Sequence, residues 1–490
     1  MIEETVNTTT HPDYLIMLPA LRRVRDAVRG SFFVKRKGVQ YLPHPSEIDQ
    51  TSDAALARYR TYLAGAEFDE VPGQTMRSML GMMKLQSATI DLPPKISYLK
   101  QNADNDGVSL MGQVEQVISH VLQVKWHLLV AEYVNASQPG ERLSEDEAAR
   151  RKMRSAIKSY TRESVVDWDF GRINSVMQLR YLKLHERLYR LDISTGSRKE
   201  FDEFLIMALD DNGDYYYYKE TLSTDGKPIK TDPTYPTVNN GEKLRWLPVQ
   251  VVSDIEPTAG QMPMELGFLS PIVEKSFARY IDSASYAEGR RDLLPTMTSS
   301  GWTNMAWELF PQMNFGRDYL ITGKGVNNLP EGVTMDIVSP DSKLEHFVTY
   351  RENNSEDIRA LGGEFPGDDQ ATGSNISAAQ AHNQRNDKVS RMITIINNAE
   401  SCYRRLALYC GMFEGVYSQD NIEDHIDETG IQFNREFAKD PANVESGRFI
   451  ATELRMTGLY SDEHIAKLLV SRGWSEETVE TMMAQIDGGE

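Results

Sequence analysis

The chain has 490 residues, of which 40% are hydrophobic and 9% aromatic. This composition supplies packed cores and excludes wholesale disorder, and the length predicts roughly two to four domains. The formal net charge is −19, from 53 basic and 72 acidic side chains, which argues against a protein that grips nucleic acid by its phosphates, because such binding needs Lys and Arg.

The sequence carries no signal of export or membrane insertion. The N-terminal residues MIEETVNTTTHPDY lack the basic and apolar parts of a secretory signal, and apolar runs such as FLIMAL at 204–209 are too short to cross a bilayer. The two cysteines, Cys402 and Cys410, would lie about 12 Å apart on one helix, which is too far for a disulfide. These features are typical of a protein kept in a reducing compartment.

The N-terminal third is predicted to be helical. The predicted helices cover residues 14–31, closed by Gly30; two helices between Ser52 and about Leu85, broken at Val71-Pro72-Gly73; residues 110–135; and residues 143–170, with Ser144 as N-cap. The helix at 110–135 rests on an apolar row of Val114, Val117, Ile118, Val121, Leu122 and Leu128.

Strand patterns follow. Residues 172–193 read as a strand, and residues 204–222 as a strand, an Asn212-Gly213 turn and a second strand. The four consecutive tyrosines, Tyr215 to Tyr218, should alternate between the core and the rim of this sheet, with base stacking as the alternative. The segment RWLPVQVV at 245–252 should close the sheet region.

A long helix is predicted at 270–294. Ser270 is its N-cap, Pro271 occupies the first helical position and Pro295 ends it. Its apolar stripe consists of Val273, Phe277, Tyr280, Ile281 and Ala284. Residues 296–340 are mixed, with a short helix at TNMAWELF and strands at DYLITG and EGVTMDIVSP. A further helix at SKLEHFVTYRENNSEDIRALGGEF ends at Gly362-Gly363.

A polar, glycine-containing loop, GEFPGDDQATGSNISAAQ at 363–380, precedes a helix predicted from Ser377 to Gly411. Ser377 and Gln380 form a capping box. The first half of this helix is polar all round, which indicates that it projects from its domain. The second half carries an apolar stripe, namely Ile393, Ile396, Ala399, Tyr403 and Leu406. The strand GIQFNREF and two or three short helices complete the chain.

Motifs of enzymatic chemistry are not visible. The nine histidines have no i, i+4 pair, CxxC and GxSxG are missing, and Gly-Lys-Gly at 323–325 lacks the phosphate-loop spacing. We expect His127 and His185 to be packed or surface residues. Asp368 and Asp369 leave open a metal-dependent nuclease or hydrolase, although adjacent carboxylates in a glycine loop are more often solvated. The sequence therefore predicts no enzyme, no metal and no cofactor.

Seven stretches are characteristic in their order and spacing, namely GVQYLPHP, RYRTYLAGAEFDEVPGQTMRSMLGMM, YTRESVVDWDF, LPVQVV, GFLSPIVEKSFARYIDSASYAEGRRDLLPTM, NNLPEGVTMDIVSPDSKLEHFVTYRENNSEDIRALGG and ATGSNISAAQAHNQRNDKVSRMITIINNAESCYRRLALYCG. In these stretches the chain resembles the portal proteins of tailed bacteriophages, in the branch with a portal-like domain of unknown function. The resemblance covers nearly the whole chain, and the C-terminal half is the most telling. One departure is that the family often has a tryptophan where this chain has LPALRRVRD.

The resemblance implies an α+β portal fold that assembles as a ring, usually of twelve subunits, around a central channel at one capsid vertex. The implied parts are a wing at 1–266, a stem helix at 267–294, a clip at 295–340, a second stem helix at 341–365, a tunnel loop at 366–377, a long channel or wing helix at 378–410, a wing strand region at 411–440 and a helical crown at 441–490.

The implied function is a head-to-tail connector that serves as the conduit for double-stranded DNA during packaging and ejection. The implied partners are further copies of the chain, the passing DNA, the terminase large subunit, head-tail adaptor or tail proteins, and the major capsid and scaffolding proteins, without a membrane. The implied location is the virion, after synthesis in the bacterial host cytoplasm. A shorter head-completion connector is the structural rival, but such proteins lack this order of parts.

The resemblance also implies site residues. The channel-facing tunnel loop would comprise Gly367, Asp368, Asp369, Gln370, Ala371, Thr372, Gly373, Ser374 and Asn375. The clip would face terminase and adaptor with Trp302, Trp307, Phe310 and Phe315. Basic residues on the polar half of the long helix, Arg385, Lys388 and Arg391, either touch phosphate transiently or form salt bridges between subunits.

Overall fold

The computed structural model describes residues 10–45, 50–83, 88–133, 153–173, 175–191, 193, 196–222, 228–238, 241–255, 260–292, 296–300, 334–338, 378–420 and 422–433. Contacts divide the chain into two compact units. The first comprises Met1–Val28, Gly73–Pro271 and Gly363–Glu490, and the second comprises Arg29–Pro72 and Ile272–Gly362.

Helices and strands are mixed along the chain, which confirms the α+β class. The helices are α1 (Pro12–Arg29), α2 (Ser31–Arg36), α3 (Asp53–Gly65), α4 (Val71–Met83), α5 (Leu110–Val124), α6 (Ser270–Asp292) and α7 (Ala378–Phe413), with 3₁₀ turns at Gly38–Gln40, Pro94–Lys100, Arg162–Ser164 and Ile422–Glu428. The strands are β1 (Thr89–Asp91), β2 (Trp126–Tyr133), β3 (Ser155–Thr161), β4 (Val165–Ile173), β5 (Val176–Leu191), β6 (Arg198–Leu209), β7 (Tyr215–Leu222), β8 (Pro228–Lys230), β9 (Val249–Ser253), β10 (Thr296–Ser300), β11 (Thr334–Val338) and β12 (Gly430–Gln432).

A three-stranded antiparallel sheet, in the order β3-β2-β9, lies at the centre of the first unit. Its middle strand is buried on both faces. Leu129 and Ala131 join a core with helices α5 and α7, whereas Leu128 and Val130 join a second core with the neighbouring sheet. The first unit is therefore layered as helices, a central sheet and an outer sheet.

The outer sheet is an antiparallel meander of five strands, β4-β5-β6-β7-β8. Its β6–β7 hairpin turns at Gly213, which has φ +82°, and the Asp210 carboxylate accepts hydrogen bonds from the backbone N–H groups of Asn212 and Asp214. The Asn212-Gly213 turn is thus confirmed, and the reason is the glycine's access to the left-handed region.

The tyrosine run of β7 alternates as predicted. Tyr215 is only 4% exposed and belongs to the core between the two sheets. Tyr217 packs beside Tyr215 on the same face, whereas Tyr216 and Tyr218 lie on the opposite face with nearly parallel rings. The pleat of a strand, which directs successive side chains to opposite faces, explains this arrangement.

The second unit has an aromatic core. The Phe277 ring of helix α6 packs edge-on against Tyr41 and beside Phe68, and Phe68 also contacts Tyr280. The Tyr59 hydroxyl donates to a backbone carbonyl within the unit at 2.9 Å. Strands β10 and β11 pair antiparallel over five residues each.

Most predicted helices are confirmed. Helix α1 ends at Arg29, followed by Gly30 with φ +100°. Helix α6 begins at Ser270 and buries Val273, Phe277, Tyr280 and Ala284. The break between α3 and α4 lies at residues 66–70 rather than at Val71-Pro72-Gly73, because Pro72 fits the first helical turn, where its missing N–H has no partner to lose.

The helix predicted over 110–135 is wrong beyond Val124. Helix α5 begins at the Ser109 cap and stops before Lys125, which has φ +82°. Residues 126–133 form strand β2. Because this strand is buried on both faces, its central residues Leu128 to Ala131 form a continuous apolar run that has no strand periodicity.

The helix predicted over 143–170 is wrong from residue 153 onward, and residues 143–152 lie outside the described parts. Ser155–Thr161 pairs along its whole length with β2, and Val165–Ile173 pairs with β5. The predicted strand at 172–193 is interrupted after Ile173 by a turn in which Ser175 has φ +69°. Partners distant in sequence override the local helical preference of this region.

The guanidinium of Arg162 fastens the end of helix α5 to the segment ahead of α6. Its Nη1 donates to the carbonyls of Val124 (2.9 Å) and Glu265 (2.7 Å), and its Nη2 donates to that of Met264 (3.2 Å). The side chain also lies over the Trp126 ring. Burial lowers its pKa to about 10, so at neutral pH it remains a cation at the negative end of the helix.

Arg162→Leu is expected to destabilise the protein by on the order of 3 kcal/mol, because three carbonyls lose a charged donor and that of Val124 is buried. Urea denaturation followed by circular dichroism measures this effect. Arg162→Lys should recover only part of it, since an ammonium lacks the planar fork. Arg180→Leu is the control, because Arg180 is a mostly exposed ion-pair partner of Asp169. Equal stability of the Arg162→Leu and Arg180→Leu variants would contradict the role of Arg162.

Candidate functional site

The long helix α7 carries the predicted basic residues. It spans Ala378–Phe413, or 36 residues, and is therefore about 54 Å long. The predicted apolar stripe is confirmed for Ile396, Ala399, Tyr403 and Leu406, which are fully buried, and Ile393 is partly buried. This stripe packs against the central sheet and helix α5.

Polar contacts hold the second half of α7 in place. The Asn398 side-chain amide donates to the Ser253 carbonyl of β9 at 2.9 Å, and the Tyr403 hydroxyl donates to the Gln113 side chain of α5 at 3.3 Å. Because these groups lie on two different elements, they fix the rotation of the helix as well as its position.

A buried carboxylate ties α7 to strand β12. Glu400 is 8% exposed and accepts hydrogen bonds from Arg404 Nη2 (3.0 Å) and from the backbone N–H of Phe433 (3.3 Å). Arg404 Nε in turn donates to the Ile431 carbonyl at 3.1 Å. The carboxylate is thus paired and hydrogen-bonded, as a buried charge requires.

The exposed side of the described part of α7 carries a short polar row, namely Ser390, Thr394, Asn397 and Ser401, and Arg405 continues it. Arg391 is also exposed, and its guanidinium lies 5.3 Å from the Phe268 ring centroid, with further contacts besides. This side of the helix is therefore polar, with four short uncharged side chains and two arginines.

Helical geometry places the three basic positions together. Position 385 lies three turns before Ile396, position 388 three turns before Ala399, and Arg391 three turns before Cys402. Positions 385 and 388 therefore lie on the side of α7 that faces the core in its second half, whereas Arg391 is exposed at the edge of the short polar row. The structure brings these positions onto one side of one helix.

The other predicted site residues lie outside the described parts of the chain. These are the tunnel-loop residues Gly367, Asp368, Asp369, Gln370, Ala371, Thr372, Gly373, Ser374 and Asn375, and the clip residues Trp302, Trp307, Phe310 and Phe315. Within the ranges that are described, no three His, Cys, Asp or Glu side chains are grouped as metal ligands, and no helix is long and apolar enough to cross a membrane.

A buried histidine pair was missed by sequence reasoning. The Nδ1 atoms of His120 and His127 lie 3.1 Å apart, and His127 Nε2 lies 2.6 Å from Ser159 Oγ. Nearby, Arg25 pairs with Glu163 at 2.6 Å. The histidines are seven residues apart, and the helix-to-strand break between them, rather than a continuous helical face, brings them together. The prediction that His127 and His185 are packed or surface residues is confirmed. His127 is fully buried, and His185 lies 2.7 Å from Asp202 on the outer sheet.

The prediction that the two cysteines form no disulfide with each other is confirmed. Cys402 and Cys410 are both buried and unpaired with each other. Burial raises the pKa of each thiol to about 12, so neither is a thiolate at neutral pH. They act as small core residues.

No protein-family model and no curated protein matches the sequence. Three similar solved structures come from gene transfer agent (GTA) particles, and in each the alignment covers 90% of this chain and 99% of the other. They are the neck of an empty particle computed with C6 symmetry (11% identity, TM-score 0.41), the virion of a native particle (14%, 0.39) and the neck of a native particle computed with C12 symmetry (12%, 0.38). TM-scores below 0.5 are too low for these likenesses to carry an argument.

The histidine pair predicts an acid-sensitive fold. Burial lowers the pKa of His120 to about 4 and holds that of His127 well below its usual range. Because both folded values lie below the unfolded value of about 6.5, their contribution to stability is complete above that pH. It is lost as the pH falls toward 4, by up to about 1.4 kcal/mol per pH unit for each histidine.

Urea denaturation at pH 7, 6, 5 and 4 measures this loss. His120→Gln should flatten the pH dependence, and His425→Gln, on an exposed turn, is the control substitution. Stability of the wild type that stays constant between pH 6.5 and 4 would overturn this account.

Proposed function

We propose that the chain is the portal subunit of a tailed-phage-like particle. In this role it forms a ring at one capsid vertex, conducts double-stranded DNA during packaging and ejection, and docks terminase and then adaptor or tail proteins. The proposal starts from the order of sequence segments, which resembles that of portal proteins along nearly the whole chain.

One structural observation carries the proposal furthest. Helix α6 is followed by strand β10, and β11 pairs with β10 antiparallel, from Thr296 opposite Val338 to Ser300 opposite Thr334. The 33 residues between the two strands (301–333) therefore leave and return at a single place. In a portal subunit the stem helix leads into the clip, and the chain then returns beside the end of that helix. The pairing of β10 with β11 is what this arrangement requires.

The charge supports a conduit rather than a binding protein. With a net charge of −19, the chain repels phosphate, so that passing DNA is not retained. The short polar row of α7 fits the same requirement, since Ser, Thr and Asn offer weak contacts to a moving duplex. In this proposal the tunnel loop at 366–377 borders the DNA, and the clip at 295–340 carries the docking surface.

The purified protein is expected to form a ring. Heterologous contacts that repeat around an axis close into such an assembly, and twelve copies of 55.6 kDa would weigh about 670 kDa. Light scattering measures the mass, and averaged electron-microscope end views give the symmetry and a central hole wide enough for a duplex. A monomer or dimer at every concentration and salt, also when co-expressed with capsid and scaffolding proteins, would contradict the proposal.

The basic row of α7 is proposed to touch phosphate transiently. Replacing Arg385, Lys388 and Arg391 by alanine should then reduce the DNA packaged per particle while the ring still assembles, because counterion-releasing contacts are lost. Arg405→Ala, at an exposed position in the second half of the helix, is the control. Unchanged packaging would reject the DNA contact, and a ring that fails to assemble would favour salt bridges between subunits.

A further inference from the structure

A cleft of about 930 Å³ lies between the central and the outer sheet of the first unit. Its walls come from the end of β2, the middle of β3 and the facing strands β5 to β7, together with Phe413 at the end of α7. The cleft therefore depends on how the two sheets pack, since strands from both sheets contribute to it. A volume of this size accommodates a small organic ligand.

The carboxylate of Glu132 lines this cleft without a partner. Glu132 follows Val130 on the face of β2 that looks toward the outer sheet, and within the described parts of the chain no group donates a hydrogen bond to its side chain. Burial raises its pKa, mainly through desolvation. The charges of Lys158 and Lys219 offset part of this rise. A half-buried carboxylate without a hydrogen-bond donor remains costly unless a further cation compensates it.

The neighbouring lysines are already paired. Lys158 Nζ lies 2.6 Å from Asp106, and Lys219 Nζ lies 2.5 Å from Glu203 and 3.6 Å from Glu186. Three carboxylates thus share two ammonium groups, and Glu132 adds a fourth carboxylate. Arg187 also lines the cleft and lies 4.0 Å from Asp202. Counted with these partners, five carboxylates stand against three side-chain cations, so the cleft disfavours an anion when its carboxyl groups are ionised.

Aromatic side chains form much of the remaining wall. Tyr215 is 4% exposed, and its hydroxyl has no hydrogen-bond partner among the described residues. Tyr217 and Phe413 lie on the wall as well, and the Tyr160 hydroxyl donates to Glu186 at 2.6 Å. Aromatic faces attract organic cations and also bury their alkyl chains.

We propose that this cleft binds an alkylammonium group, with its charge on the Glu132 carboxylate, its N–H also directed to the Tyr215 hydroxyl oxygen and its alkyl chain against the aromatic wall. A divalent metal fits less well, because no three ligating side chains are grouped within the described ranges. The same ammonium chemistry is offered by a free amine and by a lysine side chain of a polypeptide. The proposal is independent of ring formation.

Binding is tested with butylamine, butanol, putrescine and the peptide Gly-Lys-Gly. Saturation-transfer NMR on the full-length protein gives a dissociation constant for each probe. Butylamine should bind at least tenfold more tightly than butanol, which has the same shape but no charge. Tighter binding of putrescine than of the peptide identifies a free amine as the ligand, and the reverse order identifies a lysine side chain.

Two variants locate the site. Glu132→Gln should weaken butylamine binding about tenfold or more, since the ion pair is removed, and Tyr215→Phe, which keeps the ring, should weaken it severalfold. Glu220→Gln changes a carboxylate on the opposite face of β7 and should leave binding unchanged. Equal binding of butylamine and butanol, or unchanged butylamine binding in both cleft variants, would overturn the proposal.

Discussion

Burial of strand β2 on both faces is the constraint on which the rest of the first unit depends. Leu129 and Ala131 pack against α5 and α7, and Leu128 and Val130 pack against the outer sheet. Such a strand cannot shift its pairing by one residue, because every side chain would then move to the opposite core. Helix α5 must also stop before the strand begins, and Lys125 with positive φ makes that turn, so the register of β2 and the end of α5 are fixed together.

The buried polar groups of this unit act as joints between its layers. Arg162 joins the end of α5 to the chain ahead of α6, and Glu400 joins α7 to β12. Each joint links elements that are distant in sequence through backbone groups, which do not depend on the identity of the facing side chain. The long helix is therefore held firmly along its second half, and a proposed DNA-facing segment needs such a firm base on which to project.

The acidic charge of the chain has two consequences in the proposed roles. Over the whole surface it opposes retention of DNA, whose phosphates meet a net charge of −19. In the cleft beside β2 the effect is local, because Lys158 and Lys219 are paired with other carboxylates and Glu132 accepts no hydrogen bond from the described residues. The first effect is long-range and weakens with salt, whereas the second is a contact between a few atoms in a partly desolvated space.

The sequence by itself determined the elements whose signal is local. The amphipathic row of α5 up to Val124, the Asn212-Gly213 hairpin and the buried stripe through Ile396 and Tyr403 follow from helical period, turn chemistry and capping. It also determined the α+β class, because helical and strand patterns occupy different stretches. Such signals depend on neighbours within a few residues, which any single sequence contains.

Only the tertiary structure decided the rest. The sequence of strands β2 and β3 predicts helices. In β2, burial on both faces removes the alternation of apolar and polar residues. In β3, the strand depends on pairing with residues of β2 that are more than 20 positions away. The contact between His120 and His127, the carbonyls held by Arg162 and the cleft around Glu132 arise where separate elements meet. Their geometry depends on the packing of layers, and the spacing of residues along the chain does not encode it.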